Sequence, residues 1–180
     1  KSSIRLKRQV DNLLNMSRLE NGMLQVRSDW TDLQEVMHEL IRRHREFSDR
    51  SILYRSNEEL PLVKIDSGLL GTVLDNLVYN AIQYTPEQLP VEISVTCENH
   101  LCKILISDSG PGFPEDSLPQ LFDKFYRLPE SKAGGTGLGL SIVKGFTEAL
   151  GGTVTVKNRP SGGAQFILDF PVEVSFMHQL

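Results

Sequence analysis

Cysteine is scarce in this chain: Cys97 and Cys102 are the only two. Two thiols make neither a disulfide framework nor a four-ligand zinc site. They are expected as two small buried hydrophobes in a reducing compartment. No apolar run approaches the ~18 residues of a membrane-spanning helix. An excess of positive charge is missing too. Lys and Arg total 19 against 23 Asp and Glu, for a net charge of -4. That argues against a general nucleic-acid binder, whose affinity rests on neutralising phosphates. The start, Lys1-Ser2-Ser3-Ile4-Arg5, lacks both an initiating Met and an apolar signal region, so a piece of something longer is expected. What is present suits a globular domain: 180 residues with 39% hydrophobic side chains, enough for one real core.

Residues 4 to 20 carry Leu6, Val10, Leu13 and Leu14 at helical spacing, with Arg5, Lys7, Arg8 and Asp11 between them. Asn21-Gly22 suits the stop. Such an edge helix either docks on the domain behind it or is one arm of a helical bundle. Residues 23 to 28 read as a short strand. Thr31-Asp32 caps a helix with Leu33, Val36, Met37, Leu40 and Ile41, and Asp66-Ser67 caps a second that runs to Thr85-Pro86. Residues 52 to 54 and 62 to 65 read as strands. Val91, Ile93, Val95 and Cys97 alternate with polar residues, and Cys102, Ile104 and Ile106 resume the alternation after Glu98-Asn99-His100, which makes a hairpin. A glycine- and proline-rich stretch leads to a short amphipathic piece ending at Arg127. Residues 138 to 150 form a helix closed by Gly151-Gly152, and residues 153 to 158 and 165 to 170 a last strand pair. The fold class is α+β: a two-layer sandwich of a mixed, mostly antiparallel sheet with helices on one face, preceded by one long amphipathic helix.

Three stretches carry chemistry. In Asp75-Asn76-Leu77-Val78-Tyr79-Asn80-Ala81 the amides of Asn76 and Asn80 share one helix face and interrupt an apolar pattern. Amides beside a core are costly unless satisfied, and an amide oxygen suits Mg²⁺. In Asp108-Ser109-Gly110-Pro111-Gly112 a carboxylate ends an apolar strand where two glycines let backbone approach a flat ligand. An ordinary Asx turn has the same pattern. In Gly134-Gly135-Thr136-Gly137-Leu138-Gly139-Leu140 glycines open a helix, a concavity of N–H groups that holds anions. It is neither a Rossmann fingerprint nor a P-loop.

Together, and in this order, these stretches resemble the catalytic ATP-binding region of bacterial sensor histidine kinases, over about residues 29 to 175. Asn76 to Ala81 resembles the family's N box, Asp108 to Gly112 its first glycine box, and Gly135 to Gly139 its second. Leu121-Phe122-Asp123-Lys124-Phe125-Tyr126-Arg127 is similar to its phenylalanine box. Residues 1 to 28 resemble the C-terminal helix of a dimerisation and phosphotransfer domain plus a connector, and residues 29 to 180 the catalytic domain. Trp30, Phe122 to Phe125, the short lid and Asn158 to Gly163 most resemble the potassium-responsive Kdp-type kinases.

The resemblance implies roles. Asp108 would accept from the adenine amino group. Asn80 would ligate Mg²⁺, and Asn76 would sit beside the phosphates. Gly110 and Gly112 would let backbone reach the nucleotide, and Tyr84, Phe122 and Phe125 would wall it. Gly135, Gly137, Leu138 and Gly139 would offer N–H groups to the phosphates, and residues 128 to 136 would close as a lid. No catalytic side chain is assigned. The cofactors implied are ATP and Mg²⁺. The partners implied are a second copy of the kinase and a response regulator, with no nucleic acid. The location implied is cytoplasmic, with the parent in the bacterial inner membrane through parts outside this chain.

Departures from the family pattern bear on function. The phosphoacceptor motif is absent; His38-Glu39 lacks its proline and lies after the first helix. Gln83 stands where the family usually has a cation, and Lys124, Arg127 and Lys132 are candidates to replace it. Ala164-Gln165 stand where many relatives carry a Thr after Gly-Gly. An ATP-hydrolysing clamp like gyrase or Hsp90 is the alternative, but Asn76 stands where those relatives place a Glu base, and an amide takes no proton at neutral pH. A degenerate, non-enzymatic scaffold is the other.

Overall fold

A computed structural model describes residues 2–57, 59–129 and 135–176. The first helix, α1 (Ser2–Glu20), ends at Gly22, whose φ of +63° suits the stop expected there. Residues 23 to 28 form no strand, contrary to the expectation. Met23 and Val26 are exposed, and no neighbouring strand offers a ladder. A strand, β1 (Asp29–Asp32), follows instead.

Two aspartates start the next helices as read. The Asp32 carboxylate accepts from Gln34 and Glu35 N–H to open α2 (Leu33–Arg45), and Asp66 accepts from Gly68 and Leu69 N–H to open α3 (Ser67–Tyr84). Strands β2 (Ile52–Ser56) and β3 (Leu62–Ile65) precede α3. After it come β4 (Val91–Glu98), β5 (Leu101–Ser107), a 3₁₀ turn over Glu115–Gln120, α4 (Gly139–Ala149), β6 (Thr153–Asn158), β7 (Ala164–Pro171) and the short β8 (Val174–Ser175).

Five strands form the main sheet in the order β2-β4-β5-β7-β6. Only β2 and β4 run parallel. A second sheet, β1-β3-β8, joins strands from both ends of the catalytic region. It was not expected. Its strands are short and far apart in sequence, so no local pattern pairs them.

The alternation read in the hairpin holds the core. Ile93 and Val95 of β4, Ile104 and Ile106 of β5, and Phe166, Leu168 and Phe170 of β7 are all buried. They face Leu70, Val73, Leu74, Leu77 and Val78 of α3 and Ile142, Val143 and Phe146 of α4. Helix α1 packs on α4, where Leu19 lies so close to Gly145 that a Cβ there would fall 2.8 Å from Leu19 Cδ1. No helix among the described residues is long and apolar enough to cross a membrane.

The cysteines correct one expectation. Cys97 and Cys102 are joined in a disulfide. They are direct cross-strand partners in the β4–β5 register, with Cα atoms 4.1 Å apart. Counting cysteines reveals no register, so separate thiols were the wrong inference. The reducing compartment inferred from them loses its basis.

Candidate active site

With the inner stripe of α3 buried, Asn76, Tyr79, Asn80 and Gln83 fall along its other side. They form one wall of a cavity of about 240 Å³. Asn76 is almost wholly buried, and both ends of its amide have protein partners. Its Nδ2 donates to the Thr72 carbonyl at 3.0 Å, and its Oδ1 accepts from Arg8 Nη2 at 3.0 Å. Its own helix takes the nitrogen and α1 supplies the donor to the oxygen. Asn80 is half-buried and faces the same cavity.

Beside it, Asp75 points away from the cavity. Its carboxylate takes Arg8 Nη1 at 2.6 Å and lies 3.0 Å from His44 Nε2. Burial pushes this carboxyl up, but the His44 hydrogen bond and the Arg8 and His44 charges outweigh burial and hold it down at about 2, from an ordinary 3.8. A carboxyl depressed on folding stabilises the fold above its ordinary value and loses that contribution as pH falls through its folded value. The pKa difference corresponds to about 2 kcal/mol. Stability should therefore fall by about that much more in the wild type than in Asp75→Asn between about pH 5 and pH 2. Urea unfolding of both proteins checks it; parallel pH profiles would contradict it.

The end of β5 places Asp108 under the turn that leads into β7. Its Oδ1 accepts from Gly110 N–H at 2.8 Å and Ala164 N–H at 3.2 Å, and its backbone oxygen accepts from Arg159 Nη1 at 2.9 Å. Burial raises this carboxyl, against the pull of those two N–H groups and of Arg159. Among the described residues Oδ2 takes no hydrogen bond. So the carboxylate makes an Asx turn with one oxygen and keeps the other in reserve. Gly110 is packed against the end of α3: a Cβ there would lie 2.5 Å from the Tyr84 carbonyl oxygen. Gly112, at φ +73°, leaves room for the Asn158 amide.

The glycines before α4 line the cavity opposite α3. Gly137 has φ +71°, and a Cβ there would meet the Phe125 backbone at 2.7 Å. Phe125 N–H donates to the Gly137 carbonyl at 2.9 Å. The first residue before α4, Leu138, is fully buried, and no side chain caps the helix start beyond a Thr136 Oγ1 that accepts from Leu138 N–H at 3.3 Å. The helix therefore opens on N–H groups beside the cavity, where an anion is favoured. A Cβ at Gly139 would sit 3.3 Å from Asn76 Oδ1, so the two motifs are in contact.

Of the residues singled out in the sequence, the cavity brings together Asn76, Asn80, Tyr84, Arg127, Gly135, Gly137 and Gly139. Asp108, Gly110, Gly112 and Leu138 lie outside this lining, and so do Phe122, Lys124 and Phe125. Phe122 packs edge-on against Phe166 at 6.3 Å. Phe125 is exposed at φ +63°, and Lys124 pairs with Glu20 of α1 at 2.6 Å. Lys132 and lid residues 130 to 134 lie outside the described residues. The cavity also recruits Arg5, Arg8, Gln9 and Asn12 of α1, with Phe113, Tyr126 and Thr136. The α1 set is spaced i, i+3, i+4, i+7, a pattern that marks one polar helix face. Three arginines and no carboxylate line this cavity among the described residues. Nor do they include any group of three or more His, Cys, Asp or Glu side chains able to cage a metal.

The family described as histidine kinase-, DNA gyrase B-, and HSP90-like ATPase matches residues 65–174, and this chain belongs to it. Relatives of this chain include sensor histidine kinases. Sensor protein KdpD of Escherichia coli is 34% identical over 169 residues, which cover 93% of this chain and 19% of KdpD. Sensor-like histidine kinase SenX3 of Mycolicibacterium smegmatis is 31% identical over 174 residues, 94% of this chain and 45% of SenX3. The chain thus spans about a fifth of the Kdp-type relative. Full-length ShkA, crystallised with AMPPNP, superposes with a TM-score of 0.78 at 25% identity, over 93% of this chain and 36% of ShkA. The catalytic domain of histidine kinase ThkA superposes at 0.70 with 28% identity, over 82% of this chain and 96% of that domain. The expected α+β class and the expected kinase resemblance both hold.

Proposed function

We propose that this chain is the ATP-binding catalytic part of a sensor histidine kinase. It passes the γ-phosphoryl group of ATP to a histidine on a dimerisation helix outside this chain, for relay to a response-regulator aspartate. The observation that carries this reading is the glycine-lined start of α4, whose N–H groups open beside a cavity that also carries Asn80 of α3. Such a cavity suits a polyphosphate. The AMPPNP bound to ShkA supports the same reading.

In this reading Asp108 Oδ2 accepts from the adenine amino group, and Tyr84 lies against the base. N–H groups of Gly135, Gly137, Leu138 and Gly139 take the phosphate oxygens. Asn80 would hold Mg²⁺ through its amide oxygen, a hard donor of the kind that ion takes. The ion would neutralise charge on the phosphates as the γ group leaves. A bond from Pγ to the unprotonated imidazole nitrogen forms as the bond from Pγ to the β,γ-bridging oxygen breaks, the imidazole's second nitrogen releases its proton to water, and ADP departs. The chain's task is orientation, which supplies most of the catalysis in phosphoryl transfer.

The clamp alternative is disfavoured. Asp75, the carboxylate next to Asn76, is held by Arg8 and His44 and is strongly acidic, so it makes a poor base for water. Helix α1 supports the proposed boundary at residues 28 and 29. Leu6, Val10, Leu13 and Leu14 are 47% to 61% exposed, as expected of a bundle arm whose seam is closed by other helices of a dimer. By resemblance to KdpD, the parent is a membrane kinase of the potassium-responsive type with this part in the cytoplasm.

Incubation with γ-labelled ATP tests this. The chain should bind Mg-ATP at micromolar to millimolar concentration, turn it over slowly, and stay unlabelled. Label on any histidine of this chain, or rapid release of ADP, would overturn the assignment.

A further inference from the structure

We infer that Asn158, at the end of β6, is a positioning residue of the nucleotide site: its side-chain amide holds the backbone at Phe113 and so sets an aromatic wall of the cavity. This rests on the nucleotide reading above and adds a residue outside the three stretches that carry its chemistry. Residues 108 to 114 are neither helix nor strand. They leave the end of β5 at Asp108, and of them Phe113 lines the cavity, together with Tyr84 of α3. A segment without a ladder needs other partners to fix its backbone.

Asn158 supplies them with both ends of its amide. Its Oδ1 accepts from Phe113 N–H at 2.9 Å, and its Nδ2 donates to the Phe113 carbonyl at 2.7 Å. A neighbouring strand would offer Phe113 the same pair of bonds. Nδ2 also donates to Glu115 Oε1 at 2.8 Å, at the start of the 3₁₀ turn. Gly112 makes room for this amide, because a Cβ there would fall 2.7 Å from Asn158 Oδ1. The next residue grips the other end of the loop: Arg159 Nη1 donates to the Asp108 carbonyl at 2.9 Å, and its Nη2 to Glu92 Oε1 at 3.1 Å.

The hold reaches the cavity through one ring. Phe113 is half-buried and packs edge-on against Phe166 of β7, with ring centres 6.2 Å apart. With Phe166 on its edge and Asn158 on its backbone, the ring has little freedom left to lose when a flat ligand arrives. Asn158 itself lies outside the cavity lining, so its effect on a ligand passes through Phe113. Without Asn158 the loop would keep Asp108 on Arg159 and lose the wall.

Calorimetric titration of Mg-ATP tests this, with a melting curve for each variant. Asn158→Ala should bind about tenfold more weakly, the scale of one lost aromatic contact to a base. Adding Asn158→Ala to Phe113→Ala should cost nothing further, because the ring it positions is gone. Asn158→Asp carries a signature that a merely structural role lacks. Protonated, its carboxyl accepts at one oxygen and donates from the other, as the amide does; ionised, it only accepts, and it opposes the Phe113 carbonyl and the Glu115 carboxylate. Those neighbours favour the protonated form. Its deficit against the wild type should therefore be large at about pH 8 and narrow toward about pH 5, while that of Asn158→Ala stays constant. Unchanged affinity in Asn158→Ala, additive losses with Phe113→Ala, or one pH-independent deficit shared by both Asn158 variants would each overturn the inference and leave the nucleotide reading standing. Loss of the folded state in both Asn158 variants at every pH would also overturn it, since Asn158 would then only stabilise the fold. A wild-type chain that binds no Mg-ATP refutes the nucleotide reading itself.

Discussion

Asp108→Asn is expected to weaken ATP binding by about a hundredfold and leave the fold intact. The two oxygens of Asp108 have separate tasks. Oδ1 takes Gly110 and Ala164 N–H, and an asparagine Oδ1 can do the same. Oδ2, which takes no hydrogen bond from the described residues, becomes an NH₂ group. In the proposed site that donor would face the adenine amino group, itself a donor. Flipping the amide does not help, because its NH₂ would then confront the two backbone N–H groups. The loss is one charge-assisted hydrogen bond together with an unpaired donor, about 3 kcal/mol. Guanine presents an oxygen where adenine presents its amino group, so the preference for ATP over GTP should shrink or reverse. Calorimetry with both nucleotides, and a melting curve to confirm the fold, checks this. Unchanged ATP affinity would remove Asp108 from the site.

What the sequence made legible was local chemistry. Asp32 and Asp66 announce their helices because a cap is a contact between near neighbours, and both carboxylates accept the expected N–H groups. The spacing of Asn76, Asn80 and Gln83 on α3, and the glycines before α4, mark two cavity walls because helix periodicity places them. The illegible parts are contacts between distant segments. Arg8 reads as one charge among several on α1, and nothing near it names Asp75 and Asn76, on another helix, as its partners. Lys124 reads as a phosphate ligand until Glu20 of α1 is placed beside it. The β1-β3-β8 sheet and the Cys97–Cys102 pairing are likewise matters of register and long-range closure. Helix α1 is the common element in the first two of these differences. Its sequence gives its amphipathic face but not the surface on which that face lands.

Gly163→Ala should unfold the nucleotide end of the domain more severely than its glycine neighbour suggests. Gly162 and Gly163 both have φ near +90°, at +94° and +84°. Their surroundings differ. A Cβ at Gly162 meets nothing within 4 Å, so Gly162→Ala costs only the left-handed backbone, about 1 kcal/mol. A Cβ at Gly163 would overlap the Asp108 carbonyl oxygen and fall 2.9 Å from its Oδ1. That carbonyl cannot simply move. It accepts from Arg159, whose own N–H donates to the Gly163 carbonyl at 2.8 Å, and Asp108 N–H donates to Ala164 at 2.9 Å. Relieving the overlap must break this closed set or shift β5 against β7, so a loss of about 3 kcal/mol or more is expected. Asp108 would be displaced at the same time. Gly163→Ala should therefore lose both stability and ATP affinity, and Gly162→Ala should keep its affinity. Urea unfolding and nucleotide titration of the two variants side by side decide it: equal behaviour would mean the turn yields at both positions, and that Gly163 does not fix the height of Asp108 beneath it.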